Sequence, residues 1–196
     1  MKNIGLIGCG NIAETYFRAQ DYFNNINFIA CADKFPEAAK KCAEQYKIKS
    51  LTVDEILNDS DVDVILNLTI PQAHYEISKL ALESGKHVYS EKPMSIKYDE
   101  AKELVDLANK KNLYIGNAPD TFLGGGGQAA RQFVDKDEIG QVLTGNFIFA
   151  FPGVQEFHPN PESWFQLGGG PVIDMGPYFF TTLVNLLGPA KNVRSR

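Results

Sequence analysis

The sequence is poor in the residues that staple a chain, span a membrane or grip nucleic acid. It has three cysteines and three histidines. Cys9, Cys31 and Cys42 show no CxxC spacing and fall in apolar segments, which predicts reduced, buried thiols rather than a disulfide framework. His74, His87 and His158 stand far apart in the chain, so no metal constellation is expected. No apolar run approaches the roughly 20 residues of a membrane span. The opening Leu6-Ile7-Gly8-Cys9 imitates the end of a lipoprotein signal. Gly5 and Gly8 interrupt its apolar core, however, which falls short of the about 7–15 residues that such signals need. A cytoplasmic protein is expected. Lys and Arg number 19 against 24 Asp and Glu, a net charge of −5 with no basic stripe, which argues against a nucleic-acid partner. Repeats, low-complexity tracts, a P-loop, an HExxH and a serine triad are absent.

What is present is ordinary for a globular chain. The 196 residues are 44% hydrophobic and 22% charged, enough for one domain or one and a fraction. Such a length buries about 70% of its unfolded surface and needs no metal to fold. The first hundred-odd residues alternate compact apolar runs with helical patterns. Strands are predicted at 4–7, 28–32, 62–68, 87–89 and 113–115, and helices over 12–22, from Pro36, from Pro71 and around 101–108. In the second helix Ala39, Cys42, Ala43 and Tyr46 share one face; in the third Ile77, Leu80 and Ala81 point inward, with Gly85 past its end. Thr52-Val53-Asp54-Glu55 reads as a capping box. This alternation predicts an α/β fold with a parallel sheet covered on both faces. The rhythm stops near Asn117-Ala118-Pro119. A glycine run at 124–127, a β-like run at 142–151, a Pro- and aromatic-rich stretch, Gly168-Gly169-Gly170 and a helical pattern over 178–187 follow. The boundary is placed near residue 120.

Gly8-Cys9-Gly10-Asn11-Ile12-Ala13 fits GxGxx(G/A), directly after a strand and opening a helix. Gly8 allows the tight turn, Gly10 lets backbone approach a pyrophosphate, and Ala13 permits close helix–strand packing. Asp33 ends the second strand, where a carboxylate can accept hydrogen bonds from an adenosine ribose. The pairing predicts dinucleotide binding rather than a plain packing turn. Asp33 favours NAD, since a 2′-phosphate would meet like charge; Lys34, read as a solvated lysine, leaves NADP as the second option.

Three further segments complete the pattern: Thr69-Ile70-Pro71-Gln72-Ala73-His74, Glu91-Lys92-Pro93-Met94, and Gly169-Gly170-Pro171-Val172-Ile173-Asp174-Met175-Gly176-Pro177-Tyr178. With the glycine turn they make the chain resemble the glucose–fructose oxidoreductase / inositol dehydrogenase (Gfo/Idh/MocA) family along its whole length, Glu-Lys-Pro being the most specific element. The resemblance implies a Rossmann-type doubly wound parallel sheet over residues 1–120. It implies the beginning of an α+β substrate and oligomerisation domain, incomplete here, over 121–196. A broad antiparallel sheet would then follow Arg196, so the chain is read as truncated and the complete protein as a homo-oligomer. It also implies an NAD(P)-linked oxidoreductase acting on a sugar, cyclic polyol or related alcohol. The other reading is a non-catalytic dinucleotide sensor on the same fold.

By the same resemblance, Lys92 is the catalytic acid–base group beside the nicotinamide, with Asp174 and Tyr178 acting on the substrate. Gly8, Gly10, Asn11, Ile12, Asp33, Thr69, Pro71, His74 and Glu91 form the cofactor set. A lysine titrates near 10.4 in water, and burial beside a positive nicotinamide ring would lower that value into a useful range. The family pattern Asp-x-Gly-x-His is met by Asp174 and Gly176, but Tyr178 stands where the histidine would be. Tyrosine donates a hydrogen bond yet titrates near 10, which shifts the proton work to Lys92 and Asp174. His158 and Trp164 are read equally well as pocket residues or as loop and packing residues.

Overall fold

Six short strands alternate with five helices through the first two-thirds of the chain because apolar runs and capped, amphipathic segments alternate in the sequence. The computed structural model describes residues 1–150, 152–156, 161–166 and 168–194 and divides into two units, Met1–Ala118 and Pro119–Arg196. In the first unit, strands β1 (Lys2–Ile7), β2 (Ile26–Ala32), β3 (Lys49–Ser50), β4 (Val64–Asn67), β5 (His87–Ser90) and β6 (Ile115–Asn117) form one sheet. Its order is β3-β2-β1-β4-β5-β6, and all neighbouring pairs are parallel. That order is the doubly wound one, with its reversal between β1 and β4.

Successive strand residues serve opposite faces. Leu6 and Leu66 pack with Phe17, Phe28 and Cys42 under helices α1 (Ala13–Ala19) and α2 (Pro36–Tyr46). Ile7 and Ile65 pack with Ile56, Leu82 and Leu104 under α3 (Val53–Asn58), α4 (Pro71–Glu83) and α5 (Tyr98–Lys111). Each such side chain, fully buried, contributes about 1.5–3 kcal/mol. Pro36 and Pro71 open α2 and α4 as expected. The capping box forms: Thr52 Oγ1 accepts the Glu55 N–H at 3.2 Å, and Glu55 accepts the Thr52 N–H at 2.8 Å.

Several expectations are corrected. β6 begins two residues later than predicted, and α1 stops at Ala19. Leu80 is 38% exposed; α4 instead buries His74, Ser78, Ala81 and Leu82. The physical reason is Asn67, whose buried amide donates to the His74 carbonyl and to Ser78 Oγ, both at 3.0 Å, and so draws polar residues to the inner face.

The second unit holds α6 (Gly125–Asp135), α7 (Pro171–Asp174), α8 (Gly176–Leu187) and short 3-10 turns at Thr121–Leu123, Val154–Glu156 and Pro161–Phe165. The glycine run opens a helix, α6. Arg131 on it donates to the terminal carbonyls of α8, Asn185 at 2.6 Å and Leu186 at 3.1 Å, closing that helix end with a cation. The predicted β-like run does not form a strand over 142–150. Ile148 is 89% exposed, while Phe147 and Phe149 lie against Phe179 with ring centroids 5.9 and 5.6 Å away. A single run with no partner strand among the described residues gains no ladder hydrogen bonds. Among the described residues, no helix is long and apolar enough to cross a membrane.

Candidate functional site

The glycine turn sits at the carboxyl end of β1, where the strand order reverses and open α/β sheets bind their ligands. Gly8 has φ 104°, and a Cβ there would stand 2.6 Å from the Leu68 carbonyl. The turn therefore packs directly on the end of β4, and only glycine fits. Gly10 is the opposite case: a Cβ on it would meet nothing within 4 Å. The space above Gly10 is open to a ligand that approaches the backbone. Asn11 and Ile12 are exposed beside it, and Ala13 is buried beneath.

Asp33 closes this turn from β2. Its Oδ2 accepts the Cys9 N–H at 2.7 Å and its Oδ1 accepts the Phe35 N–H at 2.8 Å. Each carboxylate oxygen keeps acceptor capacity for a further donor. Lys34 is exposed. A cleft of about 610 Å³ opens alongside, lined by Gly10, Asn11, Lys41, Gln45 and Tyr46 among others. An open glycine, an anchored carboxylate and a cleft beside them fit the phosphates and ribose of a dinucleotide.

The carboxyl ends of β4, β5 and β6 carry the second cluster. Asn67, Ser90 and Asn117 lie side by side in register there. Asn67 Oδ1 accepts the Thr69 hydroxyl at 2.7 Å and the Thr69 N–H at 3.2 Å, fixing the turn into Pro71. Glu91 follows β5 and is held on several sides. Its N–H donates to the Asn67 carbonyl at 2.9 Å, and its own carbonyl accepts from Asn117 at 2.9 Å. Its carboxylate accepts the Tyr16 hydroxyl at 2.7 Å and the Lys92 N–H at 3.0 Å. His74 is 1% exposed; its Nδ1 lies 2.6 Å from the Pro93 carbonyl oxygen and its Nε2 lies 2.9 Å from that of Thr69. The histidine thus ties the Thr-x-Pro turn to the Glu-Lys-Pro segment. Lys92 itself is half-buried between two pinned neighbours.

In the first unit the structure gathers Gly8, Gly10, Asp33, Thr69, Pro71, His74, Glu91 and Lys92 at the carboxyl ends of the parallel strands. Asp174 and Tyr178 belong to the second unit, at the end of α7 and in the first turn of α8, and both are half-buried. The Tyr178 carbonyl accepts the Thr182 hydroxyl at 2.7 Å. Trp164 lies in a 3-10 turn, and His158 lies outside the described residues. His87 is a strand residue whose Nδ1 accepts the Tyr114 N–H at 3.0 Å. Sequence reasoning missed Asn67, Asn117 and Tyr16. For Asn67 the available signal was an asparagine ending a buried strand, where an apolar residue is the rule.

The three cysteines, remote in sequence, converge beneath the glycine turn, and none is in a disulfide. Hydrogen bonds from Cys31 and Cys9 lower the Cys42 thiol, and Cys31 is pushed up by its bond with Cys42. Cys9 is raised by its bonds with Cys31 and Cys42.

A family model described as oxidoreductase family, NAD-binding Rossmann fold (GFO/IDH/MocA) matches residues 2–118, and the GFO/IDH/MocA C-terminal domain matches residues 128–196. An uncharacterized oxidoreductase of Schizosaccharomyces pombe is 32% identical over 149 residues, covering 74% of this chain and 39% of that protein. Inositol 2-dehydrogenase of Rhizobium meliloti is 25% identical over 189 residues, covering 94% of this chain and 54% of that one. Among solved structures, levoglucosan dehydrogenase in complex with NADH and levoglucosan superposes with a TM-score of 0.79 at 24% identity, covering 95% of this chain and 54% of that one. The chain spans about half the length of the curated relatives it matches.

Proposed function

The chain belongs to the GFO/IDH/MocA oxidoreductase family, whose NAD-binding Rossmann model covers residues 2–118, and from that premise we propose that it moves a hydride between NAD and an alcohol carbon of a sugar or cyclic polyol. Bound at the Gly8–Asp33 turn, the dinucleotide supplies the nicotinamide ring that takes up or gives back the hydride. The rest falls to the chain. Gly10 admits the phosphates, Asp33 accepts from the ribose hydroxyls and disfavours a 2′-phosphate, and Thr69, Pro71, His74 and Glu91 shape the nicotinamide end. Lys92 removes the alcohol proton in oxidation and returns it in reduction.

The observation that carries this reading is the anchoring of Glu91-Lys92-Pro93. Backbone or side-chain hydrogen bonds from β4, β6, α1 and α4 fix the residues on both sides of Lys92. A proton-transfer group held at the anchored end of an interior strand loses little freedom when substrate arrives. In the second unit, Asp174 and Tyr178 carry over from the family's Asp-x-Gly-x-His segment as groups for the substrate hydroxyls. Relatives named for inositol and levoglucosan favour a polyhydroxylated ring as the substrate class.

The test is NADH formation, with a panel of sugars and cyclic polyols, by a form of the protein that carries a whole substrate domain, beside Lys92→Met in the same form. Turnover should fall about 10²–10⁴-fold in the variant while NADH affinity stays within a few-fold. Asp174→Asn should also lower turnover, and Tyr178→Phe less. Unchanged turnover in Lys92→Met would remove the lysine from the mechanism. One observation favours a second reading, a non-catalytic dinucleotide sensor: the tyrosine at the position of the family histidine. NADH binding with no turnover on any member of the panel, by a form of the protein that carries a whole substrate domain, would select it.

A further inference from the structure

We infer that Cys9, Cys31 and Cys42 form a binding site for a thiophilic d10 cation of the Zn²⁺ and Cd²⁺ class. Their three sulfur atoms all lie within 4.8 Å of one another. They come from three different elements: the turn after β1, strand β2 and helix α2. Their convergence is a product of the fold, invisible in the spacing 9, 31, 42.

The geometry suits a metal. A zinc–sulfur bond of about 2.3 Å places the sulfurs of a tetrahedral or trigonal site roughly 3.8–4 Å apart. Sulfurs already inside 4.8 Å reach that spacing by side-chain rotation and a shift of under about 1 Å. The elements that carry them are fixed. Cys31 Sγ contacts the Ala39 carbonyl oxygen at 3.3 Å, and Cys9 Sγ contacts that of Ala32 at 3.6 Å. These oxygens are weak partners for a thiol, and the contacts are lost at little cost when the sulfurs turn to a cation.

The donor set selects the ion. Three thiolates with no carboxylate in the group favour soft, thiophilic cations and reject Mg²⁺ and Ca²⁺. Cys31 and Cys42 are buried, whereas Cys9 is half-buried, and Cys9 and Cys42 both line the cleft beside the glycine turn. A cation held by the three sulfurs therefore keeps a fourth position on the cleft side for water or an added ligand, as in open zinc sites. Binding releases the thiol protons, so affinity rises with pH.

The site makes no use of the proposed reaction, and its test is independent of it. The full chain, reduced with a phosphine and desalted without oxygen, is titrated with Cd²⁺ and then with Zn²⁺ as competitor. A thiolate-to-cadmium charge-transfer band should saturate at one equivalent per chain, and Cys9, the one of the three that is not buried, should become protected from a thiol reagent. Cys9→Ala, the least buried of the three, should weaken Cd²⁺ binding at least tenfold with the far-ultraviolet circular dichroism of the parent. If that variant does not fold, thiol protection in the parent decides alone. Absence of the band under reducing conditions, or a Cys9 that stays reactive with one equivalent of Cd²⁺ bound, overturns the proposal. So does a folded Cys9→Ala that binds Cd²⁺ as tightly as the parent.

Discussion

Adding one methyl group at Gly8 or at Gly10 separates the two jobs of the glycine turn. At Gly8 the new Cβ would stand 2.6 Å from the Leu68 carbonyl, on a backbone with φ 104° that L side chains rarely adopt. Strain at such a position costs about 1–3 kcal/mol, and the steric clash with backbone adds to it. Gly8→Ala should therefore lower the unfolding midpoint and weaken cofactor binding together. At Gly10 the same methyl meets no atom of the protein within 4 Å. Gly10→Ala should fold as well as the parent or better, because the unfolded chain loses freedom worth about 0.4–1 kcal/mol. The methyl would then occupy the space through which, on the proposed reading, a pyrophosphate reaches the backbone. Displacing one or two hydrogen bonds to a charged group costs about 1.5–3 kcal/mol each, or roughly 10–150-fold per bond in affinity. Thermal unfolding and NADH fluorescence titration on both variants check this. A Gly10→Ala protein that binds NADH like the parent would refute the reasoning, since nothing would then approach that face of the turn.

Other outcomes follow from the anchoring around Lys92 and from the helix caps. His74→Leu removes a buried ring that lies within hydrogen-bond distance of the Thr69 and Pro93 carbonyls, to one of which a neutral imidazole donates, so urea unfolding should show a loss of about 1–3 kcal/mol; an unchanged midpoint would deny the ring its bridging role. Thr52→Ala should cost about 1 kcal/mol at neutral pH by the same assay, as expected for an N-cap, and a loss near zero would mean α3 does not depend on its capping box. The Thr52 N–H, and then its hydroxyl, hold the Glu55 carboxyl below its ordinary value. Glu55 thus stabilises the fold above its unfolded pKa and stops doing so as pH falls through its folded one, so the Thr52→Ala difference should shrink in acid.

The sheet and the glycine turn were legible because their signals are local. Compact apolar runs with helical stripes between them specify a parallel sheet, and Pro36, Pro71 and Thr52 mark helix starts within a residue. Gly8, Gly10 and Asp33 are read from position alone, since each does its work next to a strand end. What was not legible depends on contacts made across the fold. Nothing near Asn67 in sequence says that its amide will reach Ser78 and turn Leu80 outward, or that His74 will bridge to Pro93. The cysteine cluster is illegible for the same reason, because β1, β2 and α2 meet only in three dimensions. The β-like run ending at residue 151 failed in the other direction. Its apolar residues satisfy a strand pattern, but a strand needs a partner, and among the described residues 142–150 have none.

The proposed hold of Asp33 on a dinucleotide is tested most directly by paired titrations of the purified protein with NADH and NADPH. Both Asp33 oxygens are anchored by backbone N–H groups, so the carboxylate stays in place, where the proposed ribose edge would meet it. NADH should bind tighter than NADPH, and Asp33→Ser should narrow the gap by weakening NADH roughly 10-fold or more. Binding of neither dinucleotide, or tighter binding of NADPH by the parent protein, would contradict the account.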